Sequence, residues 1–295
     1  MPKRLPDPAS FETLLVDRPL PHVMRIWLNR PDARNAQDPR LLYELNDAFD
    51  LGARDEDVKV IILAAKGPHF SAGHDLRVKD GVAQMNEYQP YSTWCGFGCK
   101  GAEGRYAIEK EIYTGLSERW RNHSKVTIAQ VQGKVIAGGL MLVWPCDLVV
   151  ASEDALFADN TVAMGVAGAE FFNHIYEVGV RKAKEMLFTA EFLTAADAHR
   201  LGMVNRVVPL EQLEAETLKL AEVIAKKPAF ALKLAKEACN AGQDAMGRAN
   251  QMNTSFGLHQ LSHAHNNLLF GMNLDPSGIM SESVAKNSRY APKKD

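Results

Sequence analysis

The sequence predicts an α/β protein with a helical C-terminal appendage, on three observations. Short runs of apolar, β-branched residues alternate with amphipathic helical patterns up to about residue 209. Beyond that point only helical patterns follow, at 211–226, at 228–242 and more weakly from 255. Strands alternating with helices, then helices alone, imply a layered α/β core with helices appended. At the centre, 131–150 (VQGKVIAGGLMLVWPCDLVV) reads as a strand end, a glycine turn, an almost wholly apolar helix and a second strand starting near Asp147.

In chain order, 12–16 and 23–28 read as strands flanking the turn signal Asp17-Arg18-Pro19, the second strand alternating. The polar loop 28–37 (LNRPDARNAQ) leads into a helix at 39–51, where Leu41, Leu42, Leu45 and Phe49 fall at helical spacing. Residues 59–65 (KVIILAA) are continuously apolar, as in a strand covered on both faces. They run into a small-residue turn, 67–76 (GPHFSAGHDL). From 77 to 104 the periodicity fails, and a long functional or mobile loop is expected. A helix is predicted at 105–122, a strand at 124–133, and an exit from the sheet at 149–158. After Gly165 and Gly168 comes a helix of mixed character, then a helix capped by Thr194 and ended by Gly202. Pro276-Ser277-Gly278 interrupts the tail.

Composition narrows the function classes. The 295 residues carry 34 Lys and Arg against 36 Asp and Glu, a net charge of −2, with 46% apolar residues. Nothing global favours nucleic acid or an anionic membrane. The start, MPKRLPDPASFE, has no apolar leader-like stretch, and no apolar run reaches membrane-span length. Four cysteines suggest no disulfide framework, so a cytoplasmic setting is expected. The Cys95-x-x-x-Cys99 pair lacks a second pair at zinc spacing, and no metal site is expected.

Chemistry enters at the glycines. Gly138-Gly139 before a buried helix leaves backbone N–H groups where the helix dipole is positive, and glycine admits close approach of a ligand. Such a turn can hold a developing oxyanion, or can simply allow close packing; the small-residue turn 67–76 could supply a second donor. Glu170, between Ala169 and Phe171-Phe172, is a candidate acid/base whose carboxyl would be partly desolvated, or else a solvated loop glutamate. Asp159 shares the facing of Thr161 on an extended segment, and either works in catalysis or caps the turn that follows. The His74 ring could bond substrate or point away. His259 and His263 are four apart and share a helical face, but no glutamate follows the first as in a zinc-protease motif. That face is expected to be solvated or to meet another subunit. Glu103, Glu109 and Glu111 look no different from surface charge.

The blocks LNRPDARNA, VIILAAKGPHFSAGHDL, IAQVQGKVIAGGLMLVWPCDLVVAS and AKEMLFTAEFLTAADAHRLGMVNRVVP, in this order over about residues 12–240, resemble the crotonase, or enoyl-CoA hydratase/isomerase, superfamily. The resemblance implies a spiral of ββα units over 1–195 and a helical oligomerisation region over 196–295, giving a trimer or a hexamer of paired trimers. It implies an acyl-CoA thioester substrate with no separate cofactor, coenzyme A being part of the substrate. It places the thioester oxygen between the N–H groups of His74 and Gly138. It sets coenzyme A near Ala33, Arg34, Ala36, Ala72, Asp75 and Leu76. The two glutamates usual in hydratases correspond to Met141 and Thr161, which would then line the substrate pocket without supplying a carboxylate. Enoyl-CoA hydration or isomerisation with a non-standard acid/base residue is the leading expectation. A hydrolase or C–C-cleaving enzyme for a bulky ester, and a non-catalytic acyl-CoA-binding scaffold, remain open.

Overall fold

The computed structural model describes residues 6–92, 94 and 96–279 of the chain; Cys95 lies outside the described residues. Two sheets organise it. The larger has six strands in the order β1 (Leu14–Leu20), β2 (Val23–Leu28), β3 (Val60–Ala65), β4 (Val126–Val131), β6 (Leu148–Ser152) and β9 (Arg206–Val208). The smaller has β5 (Lys134–Ile136), β7 (Leu156–Ala158) and β8 (Leu193–Thr194). Successive strands alternate between the sheets, β4 to β5 and β6 to β7, before each turn of the chain ends in a helix. This is the expected spiral of ββα units. All pairings in the large sheet except β1–β2 are parallel.

Strands β2, β3 and β4 are buried along their whole length, as a sheet covered on both faces requires. On one face lie α1 (Pro39–Arg54) and the central helices, packed in a core with Leu28, Ile61, Leu63 and Trp120. On the other, α8 (Leu213–Ala225) lays Leu213, Ala221 and Ala225 against Val23, Val60, Ile62 and Val150.

Several elements differ from the expectations for identifiable reasons. Pro19 does not turn the chain; β1 continues through it, because an edge strand loses no ladder bond to proline. The reversal falls at Pro21-His22, where His22 has φ 64°. In β2 the alternation fails because Arg25, 7% exposed, is held inside by Asp17 at 2.7 Å and by Glu214 at 2.6 Å. Residues 77–104 are not one loop: α2 (Gly81–Met85) lies within them, and α3 (Ala102–Glu109) begins before their end. The helix expected at 105–122 is α3, a π-helical turn at Lys110–Gly115 and α4 (Leu116–Arg121). β9 lies beyond residue 195, so the sheet extends into the segment expected to be purely helical. The weak tail pattern is a 23-residue helix, α10 (Arg248–Phe270), which follows α9 (Ala229–Ala245).

Candidate active site

The two glycine turns meet. Gly73, at φ 86°, and the turn Ala137–Gly139 approach so closely that a Cβ on Gly73 would stand 2.7 Å from Ile136 O and 3.3 Å from Gly138 N. The turn leads into α5 (Leu140–Val143), and Ala137 adopts φ 45°, a costly left-handed value for a residue with a Cβ. Gln37 reaches across from the 28–37 loop: its Nε2 donates to Gly138 O at 2.6 Å, and its backbone N–H donates to Gly73 O at 2.7 Å.

The 28–37 loop and the 72–76 turn are zipped by Ala72 N–H to Arg34 O and Asp75 N–H to Gln37 O. Ala33, Ala72 and Leu76 are half-buried and Ala36 is buried, while Arg34 is exposed at a left-handed corner with φ 52°. Asp75 has both oxygens engaged, with Arg30 at 3.0 Å and Arg77 at 2.8 and 2.9 Å, and so clamps the two loops together. Arg30 was not legible as a site residue in the sequence.

The His74 side chain turns toward the second glycine turn. A Cβ on Gly138 would fall 2.6 Å from His74 Nε2. The ring stacks on Tyr113 at 3.9 Å with the planes 9° apart. Tyr113 belongs to the π-helical turn, a feature that recurs at functional sites because it redirects side chains out of helical register.

Glu170 stands against His74, with Oε1 3.7 Å from Nδ1, and is 4% exposed. Its turn is pinned from three sides. Ala169 N–H donates to Asp159 at 2.8 Å, His259 Nδ1 bonds Gly168 O at 2.7 Å, and Asn266 donates to Gly165 O at 3.0 Å. Burial pushes the Glu170 carboxyl up, to about 8; neighbouring His259 opposes this and Glu109 adds to it. The solvated-loop alternative for Glu170 is therefore not what the fold builds.

Asp159 is fully buried and serves structure. It accepts from Thr161 N–H at 3.0 Å, Thr161 Oγ1 at 2.6 Å and Ala169 N–H, and bonds His174 Nε2 at 2.8 Å. Burial raises its carboxyl, but His174, Thr161 and Ala169 more than reverse this and hold it at about 2. The hydroxyl of Thr161 is thus committed to Asp159. Met141 is 1% exposed and packs in the core.

The histidines of α10 overturn an expectation. His259 and His263 are 3% and 6% exposed, and both rings point at Glu109, itself buried. Nε2 of His259 is 3.4 Å from Glu109 Oε2 and 3.5 Å from Glu170 Oε1; Nε2 of His263 is 3.4 Å from Glu109 Oε1. Glu111 is fully buried too, accepting from Tyr43 Oη at 3.0 Å and from the N–H groups of Tyr91 and Ser92. So α10 faces the interior of its own chain, and Glu109 and Glu111 are not surface charge. The i, i+4 spacing of the histidines was visible in the sequence; the carboxylates they face are some 150 and 90 residues away.

Comparison with known proteins decides the family. The sequence profile described as enoyl-CoA hydratase/isomerase matches residues 21–94 and 97–273. The chain belongs to the enoyl-CoA hydratase/isomerase family. Within that family it is 44% identical over 247 residues to the putative enoyl-CoA hydratase EchA13 of Mycobacterium tuberculosis, covering 82% of this chain and 78% of that protein. It is 33% identical over 217 residues to a putative enoyl-CoA hydratase of Thermus thermophilus, covering 73% and 79%. The crystal structure of a probable enoyl-CoA hydratase from Mycobacterium smegmatis superposes with a TM-score of 0.80 at 43% identity, over 89% of this chain and 99% of that one. Another, from Mycobacterium thermoresistibile, gives 0.80 at 45% identity over 88% and 98%.

Proposed function

We propose that this chain transfers protons on an enoyl-CoA thioester through an enolate, with Glu170 as the acid/base. One observation carries the reading: a buried carboxylate, Glu170, stands 3.7 Å from a His74 ring that lies against Gly138, where the two glycine turns meet. The N–H groups of His74 and Gly138 receive the thioester oxygen, and preorganised donors in a dry site stabilise an oxyanion by roughly 3–4 kcal/mol each. His74 and Tyr113 form one wall of the acyl pocket, and the 33–36 and 72–76 segments receive the coenzyme A chain, with exposed Arg34 available to a phosphate.

A single carboxylate favours double-bond isomerisation over hydration. On a 3-enoyl thioester, Glu170 takes a proton from the α carbon, and the electrons pass into the enolate oxygen. The same carboxyl returns the proton at the γ carbon as the double bond moves into conjugation with the carbonyl, so no water and no second acid are needed. Hydration would use the same groups, with water adding at the β carbon and Glu170 passing its proton to the α carbon. The exposed leucines 258, 261 and 268 of α10 support self-association, which we read as the trimer or hexamer. Among the described residues no helix is long and apolar enough to cross a membrane, and we place the enzyme in the cytoplasm.

The test is isomerisation of a 3-enoyl-CoA beside hydration of crotonyl-CoA, for wild type and Glu170→Gln. A fall of about 10²–10⁴-fold in the variant is expected for loss of general acid/base catalysis. Tight ester binding with no turnover of either ester by the wild type would instead favour the scaffold reading.

A further inference from the structure

Behind Glu170, three buried side chains from two distant segments converge on one point: Glu109 at the end of α3, and His259 and His263 on successive turns of α10. One ligand atom from each lies within 4.8 Å of the others. The hydrogen bonds fix which ring atoms face inward. His259 Nδ1 is 2.7 Å from Gly168 O, and His263 Nδ1 is 2.7 Å from Asn273 O. A carbonyl accepts only, so each Nδ1 carries a hydrogen, and in the neutral ring the lone pair sits on Nε2. Both Nε2 atoms are turned to the Glu109 carboxylate, each at 3.4 Å. Nε2 of His259 is buried and has no hydrogen-bond partner among the described residues.

Lone pairs facing a carboxylate repel unless a cation stands among them. The spacing discriminates between a proton and a metal ion. A charge-assisted N–H···O bond closes to about 2.7–2.9 Å, well inside the distances here. Two ligand atoms each about 2.0–2.1 Å from a tetrahedral zinc ion are roughly 3.4 Å apart. The outer partners also match a metal centre, in which each ligating histidine gives its other N–H to a carbonyl and the carboxylate is itself hydrogen-bonded. Here the carbonyls are those of Gly168 and Asn273, and Gln260 donates to Glu109 Oε2.

We propose that Glu109, His259 and His263 form a binding site for a first-row divalent cation, zinc by geometry, which ties α10 to α3 directly behind the Glu170 turn. Two imidazoles and one carboxylate are the donor set such ions take, whereas magnesium and calcium want oxygen alone. The site revises the expectation of no metal. It does not depend on which acyl-CoA reaction the enzyme runs, because its test reads the metal itself.

Tag-free protein from zinc-supplemented culture is assayed by elemental analysis, stripped with a chelator and titrated with Zn²⁺ and with Co²⁺. The expected result is about one equivalent of zinc per chain, and saturable Co²⁺ uptake with the intense visible bands of a tetrahedral site. Affinity should fall at least about 10–100-fold in Glu109→Gln and His263→Gln, together with a rise in thermal midpoint on metal addition that only the wild type shows. If the correctly folded, stripped wild type takes up neither ion saturably, the cluster is held by protons and the proposal is wrong. Uptake that survives both substitutions unchanged lies elsewhere and also overturns it.

Discussion

Asp159→Asn isolates what one buried carboxylate does for the Glu170 turn. The carboxylate takes four donors, and the amide can keep only some of them. With Oδ1 left to Thr161, the new NH₂ occupies the place of Oδ2, facing Ala169 N–H and His174 Nε2. His174 can adapt by moving its proton to Nδ1, which is buried and has no hydrogen-bond partner among the described residues. Ala169 N–H cannot adapt and loses its acceptor. An orphaned buried N–H costs about 1–3 kcal/mol, and a hydrogen bond to a charged group contributes about 1.5–3 kcal/mol. A destabilisation of roughly 3 kcal/mol is therefore expected from urea unfolding at neutral pH.

The pH dependence gives a second handle. The folded value, about 2, lies below the ordinary 3.8 of a free aspartate, so this contribution is full above pH 3.8 and is lost as pH falls through 2. It amounts to roughly 2.5 kcal/mol at about 1.4 kcal/mol per pH unit. The stability difference between wild type and Asp159→Asn should shrink over that interval. Activity should also fall, because the backbone next to Glu170 is released, and the fall should appear in kcat more than in KM. A loss of stability below about 0.5 kcal/mol, with kcat unchanged, would refute the reasoning.

His123 predicts an acid-side instability. Its Nε2 bonds Phe49 O at 2.8 Å and its Nδ1 accepts from Lys125 N–H at 3.1 Å, so both nitrogens of the neutral ring are used. Burial, aided by the charge of Lys236 and opposed by the bond to Phe49, lowers its value from 6.5 to about 4. The folded state thus binds the proton less well, and about 3 kcal/mol is lost as pH falls from 6.5 through 4. Unfolding of His123→Gln should lack that component; parallel pH profiles for the two proteins would count against the idea. At the glycine turn, Gly138→Ala places a Cβ 2.5 Å from His74 Cδ2, so the ring must leave its stack on Tyr113. Kinetics should show a loss of about a hundredfold or more, with a stability cost of only about 1–3 kcal/mol by thermal melting; kcat within twofold of wild type would remove His74 from the site.

The sequence showed most clearly what repeats or must be apolar. The runs VIILAA and VTIAQV could be read as strands buried on both faces, and the glycine turns at 73 and 138–139 could be paired before any coordinates. Glu170 stood out because its neighbours are apolar. What could not be read depends on contacts distant in sequence. Asp159 could be read as a catalytic group or as a cap on the next turn; it caps Thr161 N–H, but alternation could not reveal His174, which engages it from the next helix. Tyr113 was hidden because a π-helical turn changes the register on which helical periodicity relies. His259 and His263 read as a solvated or subunit-contact face because the polar residues they meet, Glu109 and Glu170, come from elements far up the chain.

On the proposed reading of Glu170, an acid/base carboxylate would not simply fit at position 141 or 161 instead. Met141 is packed in the core, with its carbonyl accepting from Ser117 at 3.1 Å. A lone carboxylate there would be an unpaired buried charge, which costs several kcal/mol unless it stays protonated. Thr161 holds Asp159, and Asp159 holds the Ala169 N–H beside Glu170, so a glutamate at 161 would remove a hydroxyl on which the present arrangement rests. Thr161 is thus part of the support for the Glu170 turn, whereas Met141 is part of the core. The long α10 helix completes that support from the other side, with His259 bonded to Gly168 O and Asn266 to Gly165 O. The Glu170 turn thus rests on three segments at once, and a glutamate at position 161 alone would disturb one of them.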